Sequence, residues 1–111
     1  MEEFDKTAKK AAHKYAMLAV VSPFIHKEAV KDIEDLFLAG VYAERENCKK
    51  EVETQKRGLS ISELLDQTFY KHVSEYYHGA ENNKELMLCI KNDIYKGFEW
   101  SINYSLKEMY E

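Results

Sequence analysis

The stretch FLAGVYA, Phe37 to Ala43, decides the fold. It sets a glycine in the middle of a run that otherwise reads as helix. Glycine in a helix interior costs about 1 kcal/mol relative to alanine, so some contact must offset it. IYKGFEW, Ile94 to Trp100, does the same thing later in the chain. A missing side chain lets another backbone approach closely, and the two stretches therefore predict tight helix crossings at Gly40 and Gly97. The competing reading is that glycine marks the approach of a ligand.

Outward from these points, apolar residues recur at steps of three and four, the period of a helix rather than a strand. Phe4, Ala8, Ala12, Tyr15 and Ala19 mark a first helix over about residues 3–21. It ends at SPF, because the residue before Pro23 avoids helical backbone. Val30, Ile33, Phe37, Gly40, Val41, Cys48 and Val52 stripe a second helix over 27–56. Its polar second half either projects into solvent or pairs with a partner helix. A third helix over 61–78 opens on LSISEL, a capping box in which Ser60 accepts from the Glu63 amide and Glu63 reaches back. Leu59 and Leu64 sit where a hydrophobic staple belongs, and Gly79 is the expected stop. Ile61, Leu65, Thr68, Phe69, His72, Val73 and Tyr76 form its stripe. A fourth helix over 83–110 starts with the capping spacing of Asn82 and Glu85. The connections are short, which makes consecutive helices antiparallel neighbours. The expected architecture is a single all-α domain, residues 1–111, folded as a four-helix bundle of two antiparallel hairpins.

A displacement of 57 positions, the interval from Gly40 to Gly97, superposes the two halves of this pattern. Phe37 falls on Ile94, Val41 on Phe98, and Phe4, Ala8, Ala12 and Ala16 on Ile61, Leu65, Phe69 and Val73. Amphipathic helix pairs of similar length can always be brought into phase, and only the paired glycines exceed that explanation.

The totals exclude several classes. The chain has 111 residues, enough for one core, and its 13% aromatic share argues against disorder. Net charge is −4 and no segment is strongly basic, which argues against nucleic-acid binding. Helix three, with one lysine, makes a poor recognition helix. AMLAVVSPFI is too short to span a membrane, and no clean signal-peptide cleavage site follows it. Cys48 and Cys89, the two cysteines, read as small buried side chains in a reducing compartment. A cytoplasmic protein is expected.

Chemistry is thinly represented. Glu75 and His78 form one Glu-x-x-His pair, where a di-metal bundle needs two. Nucleophile elbows, phosphate-binding glycine loops and Cys-x-x-Cys motifs are absent from the sequence. Asp32-x-x-Asp35 and Glu63-x-x-Asp66 are paired acids one turn apart, able in principle to hold Mg²⁺. Their spacing resembles that of the all-α nucleotide pyrophosphatases of the MazG type, with aspartates in the first pair where that family has glutamates. The resemblance implies a Mg²⁺-dependent nucleotide hydrolase, and it requires the four carboxylates to converge. Acidic first turns are equally explained by the helix dipole.

The remaining signal is aromatic. Tyr70, Tyr76, Tyr77, Tyr95, Trp100 and Tyr104 crowd helices three and four, more than one inward stripe holds. Tyrosine and tryptophan are enriched where surfaces meet partners, although they also cap cores with a wet hydroxyl. The segments DLFLAGVYAERE and NDIYKGFEW also resemble a Phe-x-x-Gly-x-x-Ala/aromatic pattern in short helical proteins of phages and mobile elements. That resemblance implies an accessory or inhibitor protein and transfers no functional residue. The expectation is a non-enzymatic protein-interaction module, with a protein partner and homo-oligomerisation, no cofactor and no metal.

Overall fold

The computed structural model describes residues 2–19, 27–56, 58–76 and 84–110. Four helices account for nearly all of them: α1 Glu2–Ala19, α2 Lys27–Thr54, α3 Ile61–Tyr76 and α4 Lys84–Tyr110. The protein is an all-α four-helix bundle, and each helix matches its predicted segment to within two residues at either end. The expected stops at Pro23 and Gly79 and the cap at Asn82 lie outside the described residues.

Local chemistry sets two of the helix ends. The Glu63 amide donates to Ser60 Oγ at 3.2 Å, and the Leu64 amide donates to the Ser60 carbonyl at 2.8 Å. Ser60 is thus the cap the sequence predicts for α3. Leu64 is buried, whereas Leu59 remains exposed. The end of α2 carries no such signal. Gln55 takes a φ of 54°, the left-handed conformation that terminates helices. A side chain there costs roughly 1–2 kcal/mol relative to ordinary backbone.

The direction of the helices follows from α1. Phe4, near its start, packs on Tyr42 of α2 and on Trp100 and Tyr104 of α4. Tyr15, near its end, packs on Phe37 of α2 and hydrogen-bonds Asp93 of α4. α1 therefore runs antiparallel to both, and α2 and α4 run parallel to each other.

Those two parallel helices touch at the glycines. A Cβ on Gly40 would overlap the Ile94 carbonyl oxygen and stand 3.3 Å from the Gly97 Cα. A Cβ on Gly97 would overlap the Phe37 carbonyl oxygen and stand 3.0 Å from the Val41 amide nitrogen. The contacts are reciprocal, since Phe37 stands to Gly40 as Ile94 stands to Gly97. Gly40, Val41 and Glu44 are buried along α2, and so are their equivalents Gly97, Phe98 and Ser101 along α4. The seam then opens together on both helices. Val52 is 79% exposed and its equivalent Met109 is 75% exposed.

Two core clusters flank the seam. One joins α1 to the central pair through Phe4, Ala8, Ala12, Phe37 and Val41, with Trp100 and Tyr104 packed against it. The other joins α3 to the central pair through Leu36, Leu64, Phe69, Ile90, Ile94 and Phe98, with Leu65 and Ala43 packed against it. Moved by 57 positions, Ala8, Ala12, Phe37, Val41 and Trp100 of one cluster land on the equivalent members or flanking residues of the other in every case. Exposed contacts also tie each central helix to its outer helix, through partners that are not equivalent. Glu34 on α2 pairs with His13 on α1, and its equivalent Lys91 on α4 pairs with Asp66 on α3.

Candidate functional site

The equivalence of the halves fails most plainly at the rings of α4. On the α1 side, α4 contributes two rings. Trp100 and Tyr104 stack at 5.1 Å between centroids, and Phe4 meets Tyr104 edge-on at 5.2 Å. The Arg45 guanidinium lies over the same Phe4 ring, 3.8 Å from its centroid. On the α3 side the positions equivalent to Phe4, Trp100 and Tyr104 hold Ile61, Ala43 and Asn47. Ile61 is 39% exposed where Phe4 is 5% exposed.

A cleft of about 970 Å³ opens between α2 and α3 at this place. Ala39 and Ala43 of α2 face Leu64 and Thr68 of α3 across it, and Tyr42 and Leu59 border it. Lys56, Gly58 and Leu59 of the α2–α3 connection line one part of it. There the Asn47 side chain donates from Nδ2 to the Leu59 carbonyl and accepts from the Leu59 amide at Oδ1, both at 3.0 Å. Gly58 lies against the same side chain, and a Cβ there would come within 3.0 Å of the Asn47 amide group. Asn47 thus bolts the connection to α2. The size falls at the upper end of ordinary ligand clefts.

The six aromatic residues expected to share one face are placed differently from one another. Trp100 and Tyr104 are half-buried in the α1-side cluster. Tyr70 and Tyr95 are exposed, Tyr70 with an edge-on contact to Phe69. Tyr76 lies in α3 with its side chain outside the described residues, and Tyr77 lies wholly outside them. Among the described residues no ring contact joins Tyr70 or Tyr95 to Trp100 or Tyr104.

Among the described residues, no three His, Cys, Asp or Glu side chains stand close enough to share a metal ion. Asp32, Asp35, Glu63 and Asp66 are all exposed, and Asp66 Oδ1 is engaged by Lys91 Nζ at 3.3 Å. The structure therefore does not bring these four carboxylates together. His78 lies outside the described residues.

The expectation of buried cysteines is corrected: Cys48 and Cys89 are both exposed free thiols. The seam that should have covered Cys48 has already opened at that level. Cys48 Sγ donates to Glu44 Oε1 at 3.0 Å. Partial burial, then this hydrogen bond and the Glu44 charge, push its thiol up to about 11. Such a thiol is the opposite of an activated nucleophile. Glu44 itself is buried, and its Oε2 has no partner; neither does Ser101 Oγ, the equivalent position on α4.

One titrating pair ties α1 to α4. Tyr15 donates to Asp93 Oδ1 at 2.7 Å, and Asn92 Nδ2 donates to the Tyr15 hydroxyl oxygen at 3.3 Å. Burial, and then the Asp93 carboxylate, hold the Tyr15 phenol well above its ordinary range. Burial also raises Asp93, and the Tyr15 hydrogen bond partly opposes that rise. The pair is a strut across the bundle, on the opposite side of the seam from the cleft.

Comparison with protein-family models, curated proteins and solved structures gives no match to this chain. No helix among the described residues is long and apolar enough to cross a membrane.

Proposed function

We propose that this chain is a non-enzymatic protein-interaction module that also self-associates. The observation that carries the reading is the α2–α3 cleft, an open concave surface whose lining mixes Ala39, Ala43 and Leu64 with a polar and charged rim. Concave apolar surface with a mixed polar rim is what protein segments dock into. Self-association is assigned to the open end of the central seam, where Val52 on α2 and Met109 at the equivalent position on α4 stand largely in water. Exposed apolar side chains at the ends of two helices are suited to contact with a second copy. The free thiols suit a reducing cytoplasmic setting. The likeness of the Gly40 and Gly97 segments to short proteins of phages and mobile elements supports an accessory or inhibitor role.

Light scattering over a range of protein concentrations tests the self-association. The expected result is a mass that rises with concentration, and a double substitution, Val52→Lys with Met109→Lys, that abolishes the rise. A strictly monomeric particle at high concentration overturns it.

A further inference from the structure

We propose that two copies of this chain exchange hairpins on refolding, so that α1 and α2 of one copy pack on α3 and α4 of the other. This dimer is independent of the contact assigned to Val52 and Met109. It follows from where the core lies. Trp100 and Tyr104 of the second hairpin cover the cluster built on Phe4 and Phe37 of the first. Leu36 of the first hairpin belongs to the cluster built on Phe69 and Ile94 of the second. The Gly40–Gly97 approach and the Tyr15–Asp93 hydrogen bond also join one hairpin to the other. All of these contacts are made again when the second hairpin comes from another copy, which makes exchange a low-cost route to a dimer.

The closed and exchanged forms differ at the connection between Thr54 and Ile61. Exchange requires it to straighten, and two features oppose each other there. Gln55, at a φ of 54°, holds a left-handed conformation unfavourable to a side chain, and straightening releases it. Asn47 holds the connection folded back through its two 3.0 Å hydrogen bonds to the Leu59 backbone, and straightening breaks both. Strain relief and the net loss of two hydrogen bonds are of similar size. With the core common to both forms, protein concentration then decides the balance. Short hinges under strain invite exchange of this kind. Extended, residues 55–60 reach about 20 Å, roughly twice the width of a helix, which suffices to pass from one bundle to the next.

The test refolds the full chain from urea at high concentration and separates monomer from dimer by size exclusion. It is run in the Val52→Lys, Met109→Lys background, so that the contact proposed above contributes nothing. The expected dimer persists on dilution, because separation requires the hairpins to unfold, and returns to monomer after exposure to urea near the unfolding midpoint. Asn47→Ala is expected to raise the dimerisation constant at least about tenfold. Gln55→Gly, which relieves the closed form, is expected to lower it at least about tenfold, and it keeps the test valid should Asn47→Ala perturb folding. Refolding an equal mixture of isotope-labelled and unlabelled chains reads the exchange directly. Phe4 and Tyr104, 5.2 Å apart between centroids, should then show NMR contacts from labelled to unlabelled chains. Monomer alone from the parent and from Asn47→Ala overturns the proposal. So does a dimer whose Phe4–Tyr104 contact stays within one chain, or a dimerisation constant that neither hinge substitution moves. None of these results touches the association through Val52 and Met109, which is read on the native chain without refolding.

Discussion

The α1 side and the α3 side of this bundle solve one packing problem with opposite allocations of volume. On the α1 side the outer helix is thin. Ala8, Ala12 and Ala16 are completely buried, and the bulk comes from Phe37, Trp100 and Tyr104 on the central helices. On the α3 side the outer helix carries Leu64, Leu65 and Phe69, and the central helix offers Ala39 and Ala43. The difference shows that a helix pair is specified by the volume summed across a contact, with either partner free to supply it. It also shows where the sum falls short, beside Ala43.

Removing the bulk from each side gives the largest way to sharpen the contrast. Phe69 is the principal filler of the α3 side and is completely buried, so Phe69→Ala is expected to cost about 4 kcal/mol. Trp100 fills a half-exposed site, and Trp100→Ala is expected to cost about half as much by the same reasoning. Urea denaturation measures both. Equal costs would mean that the rings of the α1 side are as deeply committed to the core as those of the α3 side.

A smaller effect lies at the end of α2, where the halves also differ. Gln55 holds a left-handed conformation that glycine adopts freely. Gln55→Gly is expected to stabilise the protein by about 1 kcal/mol, read as an upward shift in Tm. A downward shift would show that the greater chain entropy of glycine in the unfolded state outweighs the relief.

The smallest effect is a pH dependence confined to the α1 side. Burial raises the Asp93 carboxyl, so the folded chain holds a proton that the unfolded chain has already released. Stability then falls as pH rises from the ordinary carboxyl range through the raised value, and it is greatest below that range. Asp93→Asn should flatten this part of the denaturation profile, and an unchanged slope would remove Asp93 as its source. The position equivalent to Asp93 on the α3 side is the buried Leu36, which cannot titrate.

Helix identity and extent were legible because the period of three and four persists through long windows, and because Ser60 is a true cap. The glycines were legible as close approaches. That they meet each other, on parallel helices, was not, because chain proximity favours neighbours in sequence and periodicity carries no partner information. The same blindness hid the cleft. Trp100 and Tyr104 look alike on a helical wheel whether they fill a core or greet a partner. Only the residues across the 57-position step, Ala43 and Asn47, distinguish a filled site from an open one. Cys48 was misplaced for a related reason: it continues the α2 stripe, but the partner helix no longer covers that stripe at its level. Gln55 gave no signal, since the left-handed stop uses a residue with no preference for it.

The central claim is that two parallel helices pivot on Gly40 and Gly97 as one shared contact. A double-mutant cycle of Gly40→Ala and Gly97→Ala, measured by urea denaturation, tests it most directly. Each added methyl meets a backbone carbonyl that no rotamer change can move, so each single substitution should cost about 3 kcal/mol. Separating the helices for one methyl makes room for the other, so the double variant should lose clearly less than the two losses combined. Additive losses, or single variants as stable as the parent, would contradict the account.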